Sequence, residues 1–244
     1  MVVNKKQFIF SLGAEWGPND PEVESIWFLF TKAVEKIEDD KIRDEADFRA
    51  NRIYEKLQEA RNHYKVVAES GFNSRPSSEI TAVYNSLYSC LWSAYKDRLV
   101  KFTRSFGYDT GCIFSGDDYE QQMNGFMRRH PEVSDLKSFI DIQKRNWQDH
   151  LRDNRNGNEH DGDFRNKKNV PDFNNQENAK QIFIVVSRTI EMVGITLLSY
   201  KLPEYINVIL VNNKATVFDR THRYEVRHAL QGTDTKPLFD SPYY

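Results

Sequence analysis

Residues 80–102 read ITAVYNSLYSCLWSAYKDRLVKF. Ile80, Val83, Tyr84, Leu87, Tyr88, Leu91, Trp92, Tyr95, Leu99 and Phe102 recur at steps of three, one and four, the period of one helical face. The stripe holds for about six turns, and Arg75-Pro76-Ser77 opens it. So wide an apolar face belongs at the centre of a helical bundle. Its aromatic rings read as core rather than as a stacking platform for bases.

The pattern continues on both sides of this helix. Upstream, Phe8, Ile9 and Phe10 suggest a small strand before Gly13, Gly17-Pro18 and Pro21. A helix is predicted from about Pro21, with Asn19 or Asp20 as cap and Val23, Ile26, Trp27, Phe30, Val34 and Ile37 on its inner face. A longer one is predicted from about Ile42 to Ser70. Its seam is Ala46, Ala50, Ile53, Leu57, Ala60, Tyr64 and Val67, with a charged outer face and Gly71 as terminator. Downstream of a loop at 107–116, a short helix is expected over Asp117–Arg129, with Tyr119, Met123, Phe126 and Met127 on one side. Pro131 ends it. The next helix carries Leu136, Phe139, Ile140, Trp147 and Leu151. The last runs from Gln176 to Tyr200 on Ala179, Ile182, Phe183, Val186, Ile190, Val193, Leu197 and Leu198. After Pro203 the character changes. Tyr205–Val211 and Lys214–Asp219 are β-branched runs around Asn212-Asn213, which predicts a hairpin.

The fold class is therefore mostly α: an up-and-down helical bundle with a small C-terminal β-hairpin. Residues 1–76 are expected to form an N-terminal helical extension, 77–203 the bundle, and 204–244 the hairpin and an irregular tail. The chain has 244 residues, and its 34 basic and 36 acidic residues leave a net charge of −2. That balance exerts no global pull toward nucleic acid or an anionic membrane, so any nucleic-acid contact has to be local. Two cysteines make no disulfide framework, which suits a reducing cytoplasm. The first ten residues lack the apolar core and cleavage site of a signal peptide. Arg188 and Glu191 inside the apolar run 182–198 argue against a membrane span.

Between the two last helices lies the polar segment Leu151–Asp163, LRDNRNGNEHDGD. It contains Arg155-Asn156-Gly157-Asn158-Glu159-His160, an Arg and a His separated by four residues with Asn directly after the Arg. Arg145-Asn146-Trp147-Gln148-Asp149-His150 repeats the pattern, and Arg223 and His228 match without the Asn. Chance supplies about one such match in a chain of this composition. The first copy is set apart by its polar surroundings. Trp147 puts the second copy on a regular helix, where solvated side chains are the simple expectation. Beyond the segment, Arg165, Lys167 and Lys168 could meet phosphates.

In this context the segment resembles the HEPN superfamily, helical domains with an Arg-x4-6-His motif whose Arg is commonly followed by Asn, His or Asp. The resemblance covers roughly residues 77–200. It implies a four- or five-helix bundle, usually dimeric, and metal-independent ribonuclease activity in toxin–antitoxin or phage-defence settings. RNA, a second copy of the chain and an antitoxin protein would be partners, and no cofactor is needed. Gly157-Asn158 departs from the aliphatic residues more often found in the family.

The residue types suit that chemistry on their own. A histidine titrates near neutrality and can move protons to and from RNA. An arginine presents a planar fork to a phosphate gaining charge. His160 is thus the expected acid or base, Arg155 the transition-state stabiliser and Asn156 an orienting group. Two other classes compete. His130, His160-Asp161 and Asp219 could serve an HD-type metal phosphohydrolase, although that doublet normally sits in an apolar helix. The bundle could also be a catalytically inactive nucleotide-binding or protein-interaction module. A calcium loop counted from Gly157 or Gly162 places Arg152 or Gly157 at the first ligand position, and both fail.

Overall fold

The computed structural model describes residues 6–12, 23–133, 135–153, 174–202, 206–211 and 224–230. It is mostly helical. Helix α1 spans Val23–Val34 and α2 spans Asp40–Val67. Helix α3, Ser77–Trp92, passes through a π turn at Ser93–Arg98 into α4, Leu99–Arg104. Helix α5 is Tyr119–Arg129, and α6, Asp135–Gln143, runs into a second π turn at Lys144–Gln148. Helical structure resumes over 149–153. Helix α7, Gln176–Leu198, is the last α-helix among the described residues.

The ends follow from local chemistry. Asp39 accepts a hydrogen bond from the Ile42 N–H and starts α2. Past its far end Gly71 takes a φ of 85°, a left-handed conformation that costs glycine little. Asn175 caps α7 by accepting from the N–H groups of Glu177 and Asn178.

Helix α2 packs against α1, α3, α4 and α7, and α7 also touches α1, α3, α4 and α6. One hydrophobic core runs through all of them, so α1 and α2 share it with the helices of 77–203. The α2 seam is buried as its spacing predicts, apart from the half-buried Tyr64. In α1, Trp27 differs. It is 41 % exposed, while Leu29 and Ala33 take the inner face. The buried arc of α1 centres on Ile26, Phe30 and Ala33, which leaves Trp27 at its edge. There its indole N–H donates to Asn51 Oδ1 at 3.2 Å, and its ring lies against Tyr54.

The helix whose C-terminal half has no solvent face is α7, not α3. Every residue from Thr189 to Leu198 is buried, including Glu191, which is paired with Arg188 across one turn at 3.1 Å. α3 keeps an outer face at Ala82 and Ser89. By length and a mean hydropathy of 1.6 α7 could cross a membrane, but 78 % of that window is buried inside the bundle. It is a core helix.

Three strands, β1 (Lys6–Leu12), β2 (Ile206–Val211) and β3 (Tyr224–Leu230), form a sheet in the order β1-β3-β2. β1 is antiparallel and β2 parallel to β3. β2 coincides with the first run of the expected hairpin. The second run, Lys214–Asp219, lies outside the described residues, and β2's described neighbour is β3.

α1 meets α7 closely at Gly194. A Cβ built there would lie 2.5 Å from Phe30 Cε1 and 3.2 Å from Leu29 Cδ2. Phe30 is fully buried and has no room to retreat. Gly194→Ala is therefore expected to destabilise the protein by about 1–3 kcal/mol despite alanine's better helix propensity. Urea denaturation of the two proteins measures it, and an unchanged or higher midpoint would refute this packing.

Candidate functional site

Arg155, Asn156 and His160 lie outside the described residues, as do Asp161, Arg165, Lys167, Lys168, Asp219 and Arg223. His228 lies in β3. The described copy of the motif is Arg145, Asn146 and His150. Arg145 and Asn146 are exposed and His150 is half-buried, while Trp147 and Gln148 between them are buried.

This copy does not sit on a regular helix. Its backbone passes through the π turn, where the Asp149 N–H donates to the carbonyl of Lys144, five residues back. In an α-helix, residues five apart point about 140° away from each other. The π turn absorbs one extra residue. Arg145 and His150 are thereby brought toward the relation of an i, i+4 pair, neighbours on one face. The Arg145 Nε–H is anchored on the Asp141 carbonyl at 3.1 Å. Its terminal nitrogens face no acid among the described residues, so the fork remains available to an anion.

The π turn is held from inside. The Tyr95 hydroxyl, in the first π turn, donates to Gln148 Oε1 at 3.1 Å, and Gln148 Nε2 donates to the Ile113 carbonyl at 3.0 Å. Trp147 Nε1 donates to Gln143 Oε1 at 2.9 Å, and the Trp147 and Tyr95 rings lie 5.2 Å apart. Tyr95 is fully buried, and burial pushes its hydroxyl well above the usual tyrosine range, so it stays a neutral donor. Each π turn thus presents a polar side chain inward, and the two meet in one bond. The only sign of this in the sequence is that Gln143 and Gln148 interrupt the apolar face of α6. The long apolar stripe of residues 80–102 hides its own π turn, because Leu91, Trp92, Tyr95 and Leu99 satisfy helical spacing on either count.

Outside the π turn, α5 braces α6. The Tyr119 hydroxyl donates to Asp141 Oδ1 at 2.6 Å, and Lys137 bridges Asp141 and Glu120 at 2.8 and 3.1 Å. Burial, with the Asp141 hydrogen bond adding to it, raises the Tyr119 pKa. Burial alone would lower the Lys137 pKa, but the hydrogen bonds to Asp141 and Glu120 outweigh it and raise it. The Lys144 ammonium rests 4.6 Å from the centre of the Tyr119 ring.

Other candidate chemistry is weaker. His130 packs against the Tyr108 and Phe126 rings, with Glu132 Oε1 3.5 Å from its Nδ1, a setting that explains it as a packing residue. Among the described residues no three His, Cys, Asp or Glu side chains group as metal ligands. Neither cysteine is arranged as a nucleophile. Burial first, then Glu59, pushes Cys90 up to about 11, and burial first, then Asp109, does the same for Cys112.

No family model matches the chain, and no curated protein and no solved structure matches it. The reading of the site rests on its geometry and residue types.

Replacing Tyr95 by Phe keeps the ring and removes the donor, leaving a buried Gln148 oxygen without it. A loss of about 1–3 kcal/mol is expected, read from chemical denaturation. A loss below about 0.5 kcal/mol would show that this bond does not hold the π turns together.

Proposed function

We propose that the chain is a metal-independent endoribonuclease of the HEPN type, acting in the cytoplasm as a homodimer within a toxin–antitoxin or phage-defence system. The finer fold belongs to the same proposal: an up-and-down HEPN-like bundle over 77–203 and a C-terminal hairpin. The observation that carries the reading is the π turn lying between Arg145 and His150, with Arg145 exposed and its terminal nitrogens free of acidic partners among the described residues. The helix then continues through 153 toward the second copy, Arg155, Asn156 and His160. The polar segment favours the second copy and the described geometry favours the first.

The chemistry needs no metal or added water. A histidine takes the proton from the ribose 2′-hydroxyl, and the 2′-oxygen forms a bond to phosphorus. The bond from phosphorus to the 5′-oxygen breaks, and a second histidine, from the partner chain, gives that oxygen a proton. The products are a 2′,3′-cyclic phosphate and a 5′-hydroxyl. Arg155 or Arg145 stabilises the charge that builds on the phosphorane. Asn156 or Asn146 orients the histidine or binds a phosphate oxygen.

The test is incubation of the full chain with unstructured and structured RNA in excess EDTA, beside His150→Ala and His160→Ala. Cleavage leaving cyclic phosphate ends is expected, with one variant slowed about 10²–10⁴-fold and thereby naming the active copy. Cleavage abolished by EDTA would reject a metal-independent reaction and return attention to the HD-type set. Cleavage that both variants retain would reject the assignment of the histidines. RNA bound but never cut would select the catalytically inactive nucleotide-binding module.

A further inference from the structure

An open depression of 640 Å³ lies between the end of α4, the turn Thr110–Phe114 and α5. Arg104, Arg128 and Arg129 line it, together with Asp109, Asp118 and Gln121. Arg104 is fixed in place. Asp109 Oδ1 accepts from its Nε at 3.1 Å, lies 3.0 Å from its Nη2, and also accepts from the Gly111 N–H at 3.1 Å. Arg128 and Arg129 differ. Both are exposed, and neither has an acidic partner among the described residues.

These two guanidinium groups converge. They follow Gly125 by three and four residues on α5, and both lie back over its bare backbone. Arg129 Nη1 and Arg128 Nη2 come within 3.8 and 4.0 Å of the point where a Gly125 Cβ would sit. Each nitrogen is therefore within the sum of those distances of the other, and neither arginine forms an ion pair among the described residues. At such a separation like charges repel weakly in water, and a shared anion would be met by charge-assisted hydrogen bonds from both. Arg104, in the same lining, supplies a third guanidinium already oriented by Asp109. Asp109 is committed to Arg104, which leaves Asp118 as the acid opposing an incoming anion. The charge of the lining remains positive.

We propose that this depression binds a phosphate group, gripped by Arg128 and Arg129 with Arg104 of the same lining as a third donor. A planar guanidinium suits phosphate oxygens in pairs, and the volume lies within the range of small-ligand sites. The phosphate could belong to a small diphosphate or to an RNA backbone. The site does not depend on the ribonuclease reading, because no residue of either Arg-Asn…His pattern lines it.

Two probes distinguish the sources: inorganic pyrophosphate, and a 2′-O-methylated oligoribonucleotide, which lacks the nucleophile that cleavage needs. Binding of each to the full chain is measured by titration calorimetry at low salt. Arg128→Gln combined with Arg129→Gln is compared with Arg52→Gln, a change of the same charge type on the outer face of α2. The double variant is expected to weaken binding about tenfold or more, and Arg52→Gln to leave it unchanged. Both replaced arginines are exposed, so melting curves should coincide with wild type and separate lost binding from lost fold. Pyrophosphate binding that depends on the pair assigns a small phosphate ligand; oligonucleotide binding alone with the same dependence assigns the RNA backbone. Neither probe binding, or equal weakening by Arg52→Gln, would overturn the site.

Discussion

The bundle depends on a helix that has to be covered on every side. Along α7, one side chain after another from Thr189 to Leu198 is buried, and each large apolar one removed from water contributes roughly 1.5–3 kcal/mol. Five helices pack on α7 to achieve this. Gly194 lets α1 approach closely enough to seat Phe30 against its backbone. The one charged residue within that stretch, Glu191, is tolerated because Arg188 pairs with it one turn away, consistent with the large cost of burying a charge alone.

A second constraint is laid over that core. Two helices each carry an extra residue in a π turn, and the turns face each other through the Tyr95–Gln148 bond. A π turn weakens local helical geometry and is rare unless something holds it. Here the holding groups are buried polar ones, each with a partner: Gln148 between Tyr95 and the Ile113 carbonyl, and Gln143 beneath Trp147. The surface consequence is on the opposite side of the same turn. The extra residue of the turn shifts the helical phase between Arg145 and His150. Packing inside the bundle thus bears on how these two residues are presented.

Much of the architecture was legible from spacing alone. The α2 seam, the α6 face from Leu136 to Leu151 and the α7 stripe fall in the core, with Tyr64 and Ile182 at its margin. Burial of one helical face forces a repeat near 3.6 residues, and the chain keeps it. Trp27 was misplaced because it sits at the margin of the α1 face, where an indole can be covered on one side and donate to Asn51 on the other. The prominence of residues 80–102 suggested the central helix, but a wide stripe records how many neighbours a helix has on one side. The C-terminal half of α7, buried around its circumference, has them on all sides.

The candidate site divides along the same line. The sequence by itself determined a mostly helical chain, which faces of its helices are apolar, and that an Arg-Asn…His pattern occurs twice around residue 150. Those properties depend on residue type and on contacts a few positions apart. Only the tertiary structure decided that a π turn separates Arg145 from His150, that Tyr95 and Gln148 meet 53 positions apart in the chain, and that Arg104, Arg128 and Arg129 line one depression. The physical reason is that helical periodicity reports the average environment of a face. A single inserted residue, or two side chains meeting across the bundle, leaves that average almost unchanged while moving the groups that do chemistry.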